Sequence, residues 1–130
     1  MSLALSLTID ALCVVGLCAA AFMLAKAKRY ERGGETEPSV VLSPRARLFG
    51  GVPNSSIGIA YYVFMLVAAW FLHLPAVWYA ALAATIVAGA VSAYLAYSLL
   101  FVTRMPCRYC WTGHIVNWML LVIVLASHVR

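Results

Sequence analysis

The sequence predicts an all-α membrane protein, a bundle of four transmembrane helices with a short interfacial half-helix in the first loop. Three observations carry that reading. Hydrophobic residues make up 65% of the 130-residue chain and charged ones only 10%, where a soluble domain carries about a quarter charged residues. A chain this short could not hide so much apolar surface in water, because a small domain buries only part of what its unfolded chain exposes. The apolar residues collect into four runs, each near the roughly 20 residues that cross a hydrocarbon core. Eight of the nine Lys and Arg residues fall on one side of those runs. The length fits one domain, residues 1–130.

The runs are expected as helices, because in lipid each backbone polar group must find its partner within the segment. The first is Leu3 to Ala25. It is too long for a signal-peptide core and no basic residue precedes it, so it is expected to be a retained helix. The second is Ile57 to Leu74, the third Ala76 to Val102 and the fourth Cys110 to Val129. Pro75 is expected to start the third helix after a very short turn, and Trp70, His73, Trp78 and Tyr79 gather there as an interfacial belt would.

The connection Lys26 to Ser56 holds six Lys/Arg and three Glu. Its first half, to Pro38, is polar and glycine-containing and is expected to be a mobile link. Its second half turns apolar. Ser43 followed by Pro44 is a helix start, a capping hydroxyl before a proline at the first helical position. Gly50 and Gly51 would stop the helix. The expected half-helix, Pro44 to Phe49, is too short to span and would lie over the mouth of the bundle, with Arg45 and Arg47 snorkelling toward phosphates.

The chemistry is carried by Cys107-Arg-Tyr-Cys110. A Cys-x-x-Cys at a helix N-terminus places two thiols within bridging reach, where the helix dipole and free N–H groups stabilise a thiolate. Pro106 fixes the approach, and Arg104 and Arg108 add positive charge. The pair would sit at the membrane boundary, within reach of a lipid-soluble redox partner and of a soluble one. A metal site is the alternative: Cys107, Cys110 and His114 stand at i, i+3 and i+7 along one helical face, and zinc or a soft metal takes such ligands. Covalent haem attachment requires His directly after the second cysteine, and Trp111 stands there. Cys13 and Cys18, at i and i+5 in a helix, point about 140° apart and are expected to be buried small residues.

The stretch Cys107-Arg-Tyr-Cys110-Trp-Thr-Gly-His114-Ile-Val-Asn117 resembles the opening of the last core helix in the vitamin K epoxide reductase family. The stretches Leu42 to Gly50 and Val52 to Tyr62 are similar to the half-helix and second-helix start of the same family. The resemblance implies a four-helix bundle around a quinone: menaquinone, ubiquinone or a related species. It implies that Cys110 is the cysteine nearest the quinone and that Cys107 exchanges with an outside thiol. Asn54 falls where the family places an amide that hydrogen-bonds a quinone carbonyl. His114 falls where some members carry a tyrosine in a similar part. Apart from the resemblance, the alternation of apolar and basic residues in the half-helix stretch leads one to expect Leu48 and Phe49, with Val41, to face the bundle and close the pocket. Read as bare residues, Asn54 is equally a turn or helix cap and His114 equally a satisfied intramembrane histidine, although polar groups at membrane depth are functional candidates by default.

One departure concerns the first loop, where relatives usually carry a shuttle cysteine pair. Glu37 stands before the half-helix stretch and Glu31 lies near the other position. The expected function is that of a quinone-dependent thiol–disulfide oxidoreductase. Electrons would pass from a soluble thioredoxin-like dithiol protein through Cys107 and Cys110 to a membrane quinone. A metal-binding or metal-transport protein is the competing reading, and a non-catalytic membrane subunit a third. Lipid is the expected surrounding, with no nucleic-acid partner and a monomeric state. Basic short loops stay cytoplasmic, so the long loop and the cysteine pair are expected on the cytoplasmic side of the cell membrane. Some archaeal members of the family have that inverted orientation.

Overall fold

The computed structural model describes residues 3–31, 47–48, 52–102 and 108–129. Helix α1 is Leu3–Glu31, strands β1 and β2 are Arg47–Leu48 and Val52–Pro53, α2 is Asn54–Ala68, α3 is Pro75–Tyr97, and α4 is Arg108–Val129. A π-helical turn, Ser98–Val102, prolongs α3. The architecture is the expected all-α membrane bundle of four helices. Three of them are long and apolar enough to cross a membrane: Leu3–Lys26, Pro75–Tyr97 and Cys110–Ser127.

Helix α1 continues to Glu31, past the expected end at Ala25. Its 29 residues span roughly 44 Å at 1.5 Å per residue, well over the roughly 30 Å hydrocarbon core. Lys26, Ala27, Lys28, Arg29 and Glu31 are good helix formers, so the helix carries on beyond the apolar run, where a mobile link was expected.

Helix α2 is shorter than expected. It ends at Ala68, and residues 69–74 form turns, with Phe71 N donating to Ala68 O at 2.9 Å and Leu74 N to Phe71 O at 3.0 Å. Pro75 explains the break at Leu74, since the residue before a proline is pushed out of helical geometry. Leu74 is extended, at φ −84° and ψ 126°, and Pro75 takes the first turn of α3 as expected.

The half-helix expectation is corrected at the two described residues of its range. Arg47 and Leu48 are extended and pair antiparallel with Pro53 and Val52 respectively. A six-residue helix gains few hydrogen bonds against a costly nucleus. Pro44, Arg45, Ala46 and Phe49 lie outside the described residues.

Helix α1 packs against α2 and α4, and α4 against α3. Ile9, Cys13, Met65, Leu120 and Val124 are fully buried between them. The outer surface carries Leu7, Val14, Phe64, Val67, Val87 and Val122, all exposed, which is what lipid-facing positions require. The buried stripe of α3 is mostly small: Ala81, Thr85, Gly89, Ser92 and Ala96, with Trp78 at its start. Small residues let helices approach closely where lipid supplies no hydrophobic drive. Trp118 Nε1 accordingly reaches Gly89 O at 3.3 Å.

At one end the helices are tied by polar bonds. Ser6 Oγ donates to Ala69 O at 3.1 Å, and Trp70 Nε1 to Asp10 Oδ2 at 2.8 Å. Trp78 Nε1 donates to Val124 O at 3.1 Å and to Ser127 Oγ at 3.0 Å. The start of α4, with its cysteine, lies at the opposite end.

Candidate functional site

Cys110 occupies the first turn of α4, which begins at Arg108. It is buried and its sulfur is in a disulfide, while Cys13 and Cys18 are free thiols. The fourth cysteine of the chain, Cys107, lies outside the described residues. Cys110 Sγ is 4.0 Å from Met23 Sδ, near the membrane exit of α1. Cys13 is buried as expected, but Cys18 is exposed. The angular separation of the two forces one outward once the other faces the core.

One helical turn after Cys110, His114 is 7% exposed. Its ring lies between Trp111 and Trp118, with centroids 6.0 Å and 6.2 Å away. Its Nε2 is buried and makes no hydrogen bond among the described residues. A buried polar atom without a partner costs about 1–3 kcal/mol, and such an atom in a membrane core marks a place where a ligand oxygen could bind. The residues present fit a quinone: a flat aromatic edge, a polar nitrogen and a disulfide sulfur share the first two turns of α4.

Beneath His114 lies a polar chain that sequence reading left without a role. Tyr62 Oη donates to Asn117 Oδ1 at 2.8 Å, and Asn117 Nδ2 donates to Ser92 Oγ at 2.7 Å. Tyr62 Oη also lies 3.4 Å from Gly113 O. The tyrosine fits because glycines surround it. A Cβ at Gly16 of α1 would collide with its ring carbons, and one at Gly113 would sit 3.8 Å from its hydroxyl. Asn117 carried a usable signal: with Cys110 and His114 it stands at i, i+4 and i+7 on one helical face, and it is one of only two asparagines in the chain. Tyr62 carried none, since an aromatic in an apolar run reads as packing.

The other expected pocket residues are less fully placed. Asn54 is the first residue of α2, and its side chain is outside the described residues. Phe49 and Val41 are outside them altogether. The metal alternative gains nothing: among the described residues no three His, Cys, Asp or Glu side chains gather, and a disulfide sulfur is not a thiolate ligand.

A model of the vitamin K epoxide reductase family matches residues 7–125. Members of that family are oxidoreductases of membrane thiol–disulfide and quinone chemistry in general. Among curated proteins, none matches the chain significantly. The match runs from the first helix to the last and includes the disulfide of Cys110, so the chain belongs to the vitamin K epoxide reductase family.

Proposed function

We propose that this protein oxidises a thioredoxin-like dithiol partner and passes the electrons through Cys107 and Cys110 to a membrane quinone. The observation that carries the reading is the disulfide at Cys110 with the Nε2 of buried His114 one turn below it, which has no hydrogen-bond partner among the described residues. The overall step balances as partner dithiol plus quinone giving partner disulfide plus hydroquinone. The partner's thiolate attacks the disulfide of the pair and forms a mixed disulfide, and the partner's second thiol displaces it. The reduced pair then gives two electrons and two protons to the quinone and closes again.

Asn54 on α2 and His114 on α4 are proposed to hydrogen-bond the quinone oxygens. Preorganised bonds of this kind stabilise the charge that develops on an oxygen during reduction. Phe49 and Val41 are proposed to close the pocket from the loop side. The active site is proposed to face the cytoplasm, because eight of the nine basic residues stand in the sequence within the first loop region or beside the cysteine pair.

Anaerobic mixing of the purified protein with a thioredoxin-like dithiol and a quinone tests the reading. The expected result is catalytic loss of the quinone absorption. No quinone reduction by the wild-type protein with menaquinone or ubiquinone analogues would sink it.

A further inference from the structure

We propose that Tyr62 is a positioning residue, held by Asn117 and Ser92, which fixes α2 relative to α4 and so aligns Cys110 with its electron acceptor. The proposal rests on the redox reading above. Helix α2 packs on α1, and the Tyr62 phenol reaches α4 across the diagonal of the bundle to bond Asn117. These two helices carry the residues proposed to hold opposite ends of the quinone, Asn54 and His114. The width of that gap therefore depends on what joins them.

Apolar packing alone would set it poorly. In lipid no hydrophobic drive presses one helix on another, and the small residues of α3 offer α4 a shallow, repetitive groove. Trp118 and Trp78 already register α4 against α3. The Tyr62–Asn117 bond is the corresponding tie to α2. Its acceptor is held in turn, since the Asn117 amide donates to Ser92 Oγ at 2.7 Å. The ring is seated in the notch left by Gly16 of α1, so the chain touches all four helices. A buried polar contact that specifies register is a known use of such groups. Its kinetic weight follows from geometry, because a shift of about 1 Å at reacting atoms can cost about a hundredfold in rate.

The test uses the full chain in detergent with dithiothreitol as dithiol and a short-chain quinone. Tyr62→Phe keeps the ring and removes the donor. Its kcat is expected to fall about tenfold, the effect of one buried acceptor left unpaired, while the quinone KM moves less than about threefold because the apolar walls remain. Ser92→Ala is expected to lower kcat in the same direction. Ser92→Thr, which keeps the hydroxyl, is expected to restore it. The Tyr62→Phe/Ser92→Ala double variant is expected to be no slower than Tyr62→Phe, since both cut one chain. Losses that multiply, or a Tyr62→Phe kcat within about twofold of wild type, would overturn the proposal. A second readout needs no quinone: dithiothreitol should reduce the disulfide of Cys110 faster in both single variants, with the same lack of additivity. Equal rates in all variants would also overturn the proposal. Absence of quinone turnover in the wild type strikes the redox reading instead and leaves this second readout standing.

Discussion

At Cys110 a sulfur sits at the start of a membrane helix, buried, oxidised and one turn from a histidine nitrogen that has no partner among the described residues. A serine there keeps the shape and removes the redox chemistry. Cys110→Ser is therefore expected to abolish quinone reduction, and turnover at the wild-type rate would rule out the proposed pair. For His114 the expected effect is smaller. His114→Phe keeps an aromatic ring between Trp111 and Trp118 but cannot bond a quinone oxygen. We expect turnover to slow on the order of tenfold, from loss of one strong buried hydrogen bond. Asn54→Ala is expected to behave alike, and unchanged quinone affinity and rate in both variants would remove the pocket. At this scale the sequence was informative where chemistry restricts residue type. The spacing of Cys107, Cys110 and His114 can be read directly. Tyr62 and Ser92 could not be, because their roles arise from contacts between helices far apart in the chain.

Among the helices, α1 and α2 meet where a glycine of one receives a tyrosine of the other. Gly16→Ala puts a methyl group into the Tyr62 ring, and overpacking of this kind costs about 1–3 kcal/mol. Gly58 makes the control. A Cβ there would meet Ala20 Cβ at an ordinary 3.8 Å, and Gly to Ala in a helix interior gains up to about 1 kcal/mol. Thermal melting in detergent should therefore show a lower midpoint for Gly16→Ala and an equal or higher one for Gly58→Ala. The reverse order would contradict the packing described. Four helices were legible because lipid leaves apolar runs no other structure. Their ends were less so. Propensity carried α1 past the last apolar residue, and Pro75 bent the chain before α3. At Arg47 and Leu48 a capping signal suggested a helix, but pairing with Val52 and Pro53 prevailed.

For the whole molecule, charge and geometry combine in the side of the membrane that the disulfide is expected to face. Eight of nine basic residues lie in the first loop region or just before and at the start of α4; Arg130 is the exception. The contact between Met23 and Cys110 puts the basic exit of α1 and the start of α4 at the same end. Short basic segments next to membrane helices are retained in the cytoplasm, which would turn this end inward and leave both ends of the chain outside. Disulfides are rare in cytosol except in hyperthermophiles. The lack of glutamine suits that exception, since thermolabile amides are depleted in such proteins. A cytoplasmic site also accounts for Glu31 and Glu37 near the positions where relatives carry shuttle cysteines, because an abundant soluble dithiol protein could dock at Cys107 directly. Fusion of a phosphatase that is active only outside the cytoplasm decides the matter. We expect no activity when it is inserted near Gly33 and full activity when it follows Arg130. The opposite pattern would place Cys110 on the outer side, and the cytosolic partner would have to be abandoned with the orientation.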